Sequence, residues 1–474
     1  MPLTHRYAQT LSDLTSYVKP QLLRGQKLEM VNRELAEELN LPASWWQDNQ
    51  ITTLLGQSVS ALSHYAVAQK YGGHQFGQWN PFLGDGRGVL LAEASSNGSS
   101  VDLHLKGAGP TPYSRGADGR AVLRSTLREY LGSEALHGLG IPSTRGLCLF
   151  SSEESVLREQ LEPAAMMIRT APSHIRFGHF EFFFQSGETD KLNALFDYTL
   201  QHHFVECNQD NNPHKALLRA ITLRTARMIA LWQCYGFVHG VMNTDNMSIH
   251  GITFDFGPFA MIEQYQPKAV FNHSDHQGRY GFDQQPGIGL WNLNCLAHSF
   301  SGHCSIDELR DVLTQYEPTF IAQFQHHLCT RLGLSAQQPA QVTLANQWLA
   351  LLEESQLDYN NTFRKLALTS PEQALPEIRN DFINRQGFDD WWRKYQSARE
   401  DTGISADALT QVNPAVIPRT HLLQEAITHA NGSDFSLANA LLEAFYTPFD
   451  TRWDTHRFSQ ASKTHALGTL SCSS

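Results

Sequence analysis

The chain has 474 residues, 41% of them apolar and 18% charged, which is a globular composition with room for two or three domains. Its formal charge of −11 argues against nucleic acid or an anionic membrane as the main partner, so a polyanionic ligand needs a local basic cluster. Seven scattered cysteines without a Cys-x-x-Cys pair, an N-terminus unlike a signal peptide and the absence of any apolar run near ~18 residues predict a cytoplasmic protein without membrane spans.

In chain order, the first fifty residues hold a short helical stretch, Glu34 to Leu39, and aromatic anchors Trp45 and Trp46. From Ser58 to Gly88 the chain is glycine-rich. Gly84-x-Gly86 precedes an apolar strand (Val89 to Ala92) rather than a helix, so it is no dinucleotide fingerprint, and no Walker loop occurs. These glycines suit either a backbone cradle or a plain hairpin. Val101 to Lys106 alternates apolar and polar residues, which predicts a half-buried strand with Lys106 at its end. A helix follows, with Asp118 as its expected N-cap, Val122, Leu123, Leu127, Tyr130, Leu131 and Leu136 on one face, and Gly138 or Gly140 at its end. Glu129 lies mid-helix. Further strands are expected over 145–151 and 164–170. Arg169 and Arg176 then flank a Pro-containing turn, either converging on phosphate oxygens or lying as surface arginines.

Beyond about Asp190 the pattern is helical. The helix predicted over 216–235 leads into His239 and the segment ending at Asp255-Phe256-Gly257. Asn246 and Asp255 can act together as hard oxygen ligands for one divalent cation, and 247–254 reads as two short β pieces folded at His250-Gly251. Protein kinases keep the same His-to-Asn spacing and the same Asp-Phe-Gly triplet. The position of their catalytic Asp is Val241 here, which accepts no proton. With this loop present, Lys106 and Glu129 read as the ion pair that orients a lysine on phosphates, not as two unrelated surface charges. Helical patterns follow over 286–300, 342–354 and 371–383, and then to about Tyr446. The histidine pairs His202-His203, His326-His327 and His273/His276 lack zinc-protease spacing and read as surface or packing residues. No Gly-x-Ser-x-Gly elbow supports acyl transfer. The whole is an α+β, bilobal, protein-kinase-like plan: a β-rich nucleotide-binding lobe over 1–180 and an α-helical lobe over 181–474.

Several segments together resemble the selenoprotein O family of protein adenylyltransferases. They are Gly73-His74-Gln75-Phe76-Gly77, Leu83-Gly84-Asp85-Gly86-Arg87, the run from Leu105 to Arg115, Ile175 to Glu181, His239 to Asn246, Asn272-His273-Ser274-Asp275, and Gly289-Leu290-Trp291-Asn292-Leu293. The resemblance implies a kinase-like fold that binds ATP in a flipped orientation. It transfers AMP to Ser, Thr or Tyr hydroxyls of proteins, with UMP transfer from UTP credited to some members and Mg2+ or Mn2+ as the cation. Carried over by motif, nucleotide contacts fall on Gly84, Gly86, Arg87, Lys106, Asp118, Gly119, Arg169 and Arg176, with Glu129 as the partner of Lys106. Asp245 becomes the proton acceptor, and Asn246 and Asp255 the metal ligands. An α-phosphate at the metal leaves the kinase base position unused, which accounts for Val241, and the basic cluster then holds pyrophosphate as it leaves. The chain end Cys472-Ser473-Ser474 fits the family. Some relatives carry a second cysteine before the Asn-His-Ser-Asp segment; Phe271 stands there, which counts against a redox latch. The rival expectations are a γ-phosphate kinase and an inactive pseudokinase scaffold. The sequence sets no oligomeric state.

Overall fold

The computed structural model describes residues 3–96 and 98–462. Its first half is built on an antiparallel sheet whose central strands are Gly88–Ser96, Ser99–Lys106, Leu161–Ala171 and Arg145–Ser151, in that spatial order. Thr15–Tyr17 and Val67–Gln69 extend one side and Lys27–Val31 the other.

The expected half-buried strand is buried on both faces from Asp102 to Lys106. The reason lies far away in sequence. Leu103 and Leu105 point into a core closed by Leu35, Ile51 and Leu55 of the N-terminal segment. The opposite face, with Leu90 and Met167, packs on Leu127, Tyr130 and Leu131 of the helix Leu123–Gly138. Each such leucine contributes about 1.5–3 kcal/mol on burial. Lys106 pairs in register with Gly88 on one side and Met167 on the other, so it is a central-strand residue and not an edge lysine.

Two further expectations are corrected here. Asp118 does not cap the helix, because Ala121–Val122 first pairs with Leu161–Ala171 and the helix begins only at Leu123, with Val122 at its N-cap. The apolar spacing over 371–383 forms turns and a short 3-10 helix, Glu377–Asp381, because prolines at 371 and 376 each remove a backbone donor.

The second half is helical: Phe177–Gln185, Thr189–His202, Pro213–Tyr235, Gln285–His298, Tyr316–Leu332, Pro339–Ser355, Tyr359–Leu368, Arg385–Thr402, Thr420–Asn431 and Ser436–Tyr446 are its main helices. The architecture is α+β and bilobal in the kinase manner. The largest core joins Leu127 and Leu131 of the first lobe to Phe237, Leu423 and Leu441 of the second. Among the described residues no helix is long and apolar enough to cross a membrane.

Candidate nucleotide and metal site

Helix Pro213–Tyr235 delivers the central loop. Asn212 caps its start by accepting from the Lys215 amide, Pro213 fills its first turn, and Gly236 ends it at φ +78°, a conformation glycine adopts without strain. Strand Phe237–Val238 then pairs with Ala260–Met261, bringing His239 beside the stretch before Asp255. His239 donates from Nε2 to the Phe254 carbonyl at 2.6 Å and accepts the Val241 amide on Nδ1. Burial lowers its pKa, so it is a neutral tether between the two halves of the loop. The two expected β pieces between them shrink to a single bridge, Met247 with Thr253, because Ser248 bridges to Arg176 instead.

Other segments hold the loop from outside. Asn272 donates to the Gly240 carbonyl and Asn292 to the Met242 carbonyl, each at 3.0 Å. The glycine-rich stretch forms a hairpin, Gly73–Gln75 with Gln78–Asn80, and it presses on the loop. The His74 amide donates to Thr244 Oγ1 at 2.7 Å, and Gln75 Nε2 reaches Asp245 Oδ2 at 3.3 Å. A Cβ on Gly73 would lie 2.6 Å from Asp245 Oδ1, so only glycine admits this approach. The hairpin reading of these glycines therefore holds for 73–80, while Gly84 and Gly86 line the cleft.

That cleft encloses about 610 Å³ between the lobes. Gly84, Gly86, Arg87, Lys106, Asp118, Gly119, Arg169, Arg176, Asp245, Asn246 and Asp255 all line it. Glu129 does not; it is fully buried behind the wall, where it pairs with both Lys106 and Arg169. Sheet register explains the convergence. Arg169 stands opposite His104, two residues from Lys106, so both cations project from the face that the Glu129 helix covers.

Arg169 and Arg176 are 4% and 2% exposed, so they are not surface arginines. Arg169 Nη1 lies 2.5 Å from Asp255 Oδ1, and Arg176 Nη1 pairs with Asp255 Oδ2 and donates to the Asp245 carbonyl at 2.8 Å. Burial opposes ionisation of Asp255, yet Arg176, Arg169 and Lys106 hold its carboxyl well below the usual range. Asp255 itself has φ +54°, a strained conformation for a residue with a Cβ, which the surrounding ion pairs maintain. Asp245 behaves in the opposite way. Burial pushes its pKa up to about 7 against the pull of Arg176, and its Oδ1 is buried without a hydrogen-bond partner.

Asn246 donates Nδ2 to the Val241 carbonyl at 3.0 Å, which leaves its amide oxygen as the acceptor end. With the Asp255 carboxylate in the same cleft, the pair offers hard oxygen donors of the kind that Mg2+ or Mn2+ takes. At the rim, Asp118 accepts the Arg120 amide and is gripped by the fork of Arg158 at 2.8 and 2.9 Å. Arg158, Gln75 and Tyr280 are site residues that the sequence does not single out. Tyr280 donates to Asn243 Oδ1 at 2.6 Å and accepts the Phe76 amide, linking hairpin and loop. For Gln75 and Tyr280 the only sequence signal is their place in or near the family-like motifs.

A family model described as protein adenylyltransferase SelO matches residues 2–446. The chain belongs to the SelO family. Among SelO relatives, a protein nucleotidyltransferase YdiU of Pseudoalteromonas atlantica is 49% identical over 465 residues, covering 97% of both chains. A second of the same name, from an Enterobacter species, is 42% identical over 461 residues and 96% of both. The cleft, its cation cluster and its paired carboxylates are thus features of a SelO chain that matches these relatives almost end to end.

Proposed function

We propose that this SelO protein transfers the adenylyl group of ATP to hydroxyls of Ser, Thr and Tyr on other proteins and releases pyrophosphate, with UTP as a second nucleotide. The observation that carries the reading is the division of labour around the loop. Val241 is apolar, whereas Asp245, four residues on, is a carboxylate poised near neutrality beside Asn246 and Asp255. Behind them Lys106, Arg169 and Arg176 form a buried basic floor suited to the β- and γ-phosphates. In this scheme the acceptor hydroxyl loses its proton to the Asp245 carboxylate, its oxygen forms a bond to the α-phosphorus, and the P–O bond to pyrophosphate breaks. The leaving group carries away the electron pair, and Lys106, Arg169 and Arg176 stabilise the charge that gathers there.

Asn246 and Asp255 would hold Mg2+ or Mn2+, which when bound offsets the charge of the triphosphate. Phosphate oxygens compete for Arg169 and Arg176, so nucleotide entry exchanges the Arg–Asp255 pairs for Arg–phosphate pairs and frees the carboxylate for its ligand role. The test is product analysis with an acceptor protein: adenosine monophosphate bound to the acceptor and free pyrophosphate in equal amounts support the reading. Phosphorylated acceptor with ADP would establish a kinase instead, and no turnover a scaffold.

A further inference from the structure

Side chains alternate along the Gly73–Gln75 strand, so while Gly73 and Gln75 face Asp245, His74 points the other way. There it meets Glu181 of helix Phe177–Gln185 and Cys295 of helix Gln285–His298. One ligand atom from each lies within 4.8 Å of the other two, and His74 Nδ1 is 2.5 Å from Glu181 Oε2. An independent observation points to a missing partner: Glu181 is 2% exposed, and its other oxygen, Oε1, is buried without a hydrogen bond. The Trp79 and Trp291 rings flank His74, with centroids at 5.2 and 5.4 Å, and the Arg279 guanidinium lies over the Trp291 ring at 4.6 Å.

We propose that His74, Glu181 and Cys295 form a binding site for one zinc-type divalent cation, separate from the Asn246–Asp255 pair. The donor set is decisive. Imidazole nitrogen and thiolate sulfur suit zinc and cobalt and are poor ligands for magnesium. Bonds of about 2.0–2.3 Å set tetrahedral ligand edges of about 3.3–3.6 Å, so rotamer shifts of about 1 Å close the site. On binding, the Cys295 S–H bond breaks, its proton goes to solvent and the sulfur lone pair takes the cation, while His74 carries its N–H on the nitrogen turned away. One thiolate and one carboxylate then neutralise the dication, as a largely buried site requires. In the unloaded protein, burial, with Glu181 adding to it and Arg279 opposing it, pushes the Cys295 thiol up to about 12, so metal capture releases a proton. The fourth position is left to water. Three elements become joined, and one of them carries Gln75, so filling the site anchors the hairpin that backs Asp245.

The test is a Co2+ titration of chelator-treated full-length protein, with excess Mg2+ present to occupy hard oxygen sites. The expected result is one equivalent bound with a near-ultraviolet thiolate-to-cobalt charge-transfer band, displaced by Zn2+. Cys295→Ser should abolish the band, Glu181→Gln and His74→Gln should each weaken binding at least tenfold, and Cys472→Ser should retain it. Folding is checked by circular dichroism, and should one variant fail to fold, the other two decide the outcome. Absence of the band in the parent protein, or its persistence in folded Cys295→Ser, overturns the proposal.

Discussion

Asp245→Asn keeps the side-chain shape and removes both the basicity and the charge. In the folded protein Asp245 is 8% exposed, Gln75 donates to its side chain at 3.3 Å, and burial lifts its pKa to about 7. In an unfolded chain the value is about 3.9. Because the folded pKa is the higher, the folded state holds a proton that the unfolded state has lost between about pH 4 and pH 7. The stability from this group is present in full below about pH 4 and is lost as pH rises to about 7. A gap of about three pH units is worth at most ~4 kcal/mol, at about 1.4 kcal/mol each. Asparagine carries no such cost, so the variant should exceed the parent in stability at pH 8 by about 1–4 kcal/mol, and the advantage should vanish near pH 4. Transfer should fall by about 10²–10⁴, the scale of general-base catalysis, while the parent's rate rises with pH towards neutrality. Urea unfolding midpoints at the two pH values, with transfer rates on the same samples, read out both effects. A variant with no stability gain at pH 8 and a rate within twofold of the parent would refute the assignment.

Asp255→Ala should abolish transfer and also lower stability, by about 3–5 kcal/mol, because it leaves two buried guanidinium groups without their shared carboxylate; thermal unfolding checks this. Arg176→Lys should not rescue Arg176→Ala. Arg176 binds the Asp255 carboxylate and the Asp245 carbonyl while lying over the Tyr71 and Phe254 rings, and losing ~1.4–4 kcal/mol slows transfer about ten- to a thousandfold. Gly73→Ala forces a methyl group against Asp245 Oδ1, so transfer should drop by about tenfold or more while ATP affinity changes little, at an overpacking cost of about 1–3 kcal/mol.

The parts of the site legible in the sequence were those fixed by short spacing. His239, Asn246 and Asp255 lie on one continuous loop, so their separations carry the geometry. Lys106 and Glu129 were readable only once that loop supplied a reason to pair them. The alternation of 101–106 revealed the strand but not its second buried face, because Leu35, Ile51 and Leu55 cover it from a distant segment. Asp118 fits a helix cap and a turn equally by residue type; the short strand Ala121–Val122 decided between them. Over 371–383, Leu375, Ile378 and Phe382 imitate a helical face, yet Leu375 is 70% exposed and Pro376 precedes a 3-10 turn. Gln75, the Tyr280–Phe76 contact and the His74–Glu181–Cys295 group depend on approaches across a hundred residues or more, for which no local pattern exists. Cys472 lies outside the described residues.

The most direct test of nucleotidyl transfer is incubation of the protein and an acceptor with Mg2+ or Mn2+ and ATP labelled either at the α- or at the γ-phosphate. Stable protein-bound label from α-labelled ATP, absent with γ-labelled ATP and absent in Asp245→Asn, is the predicted result. Label transferred from the γ position would contradict it, as would α-label incorporation that Asp245→Asn leaves undiminished.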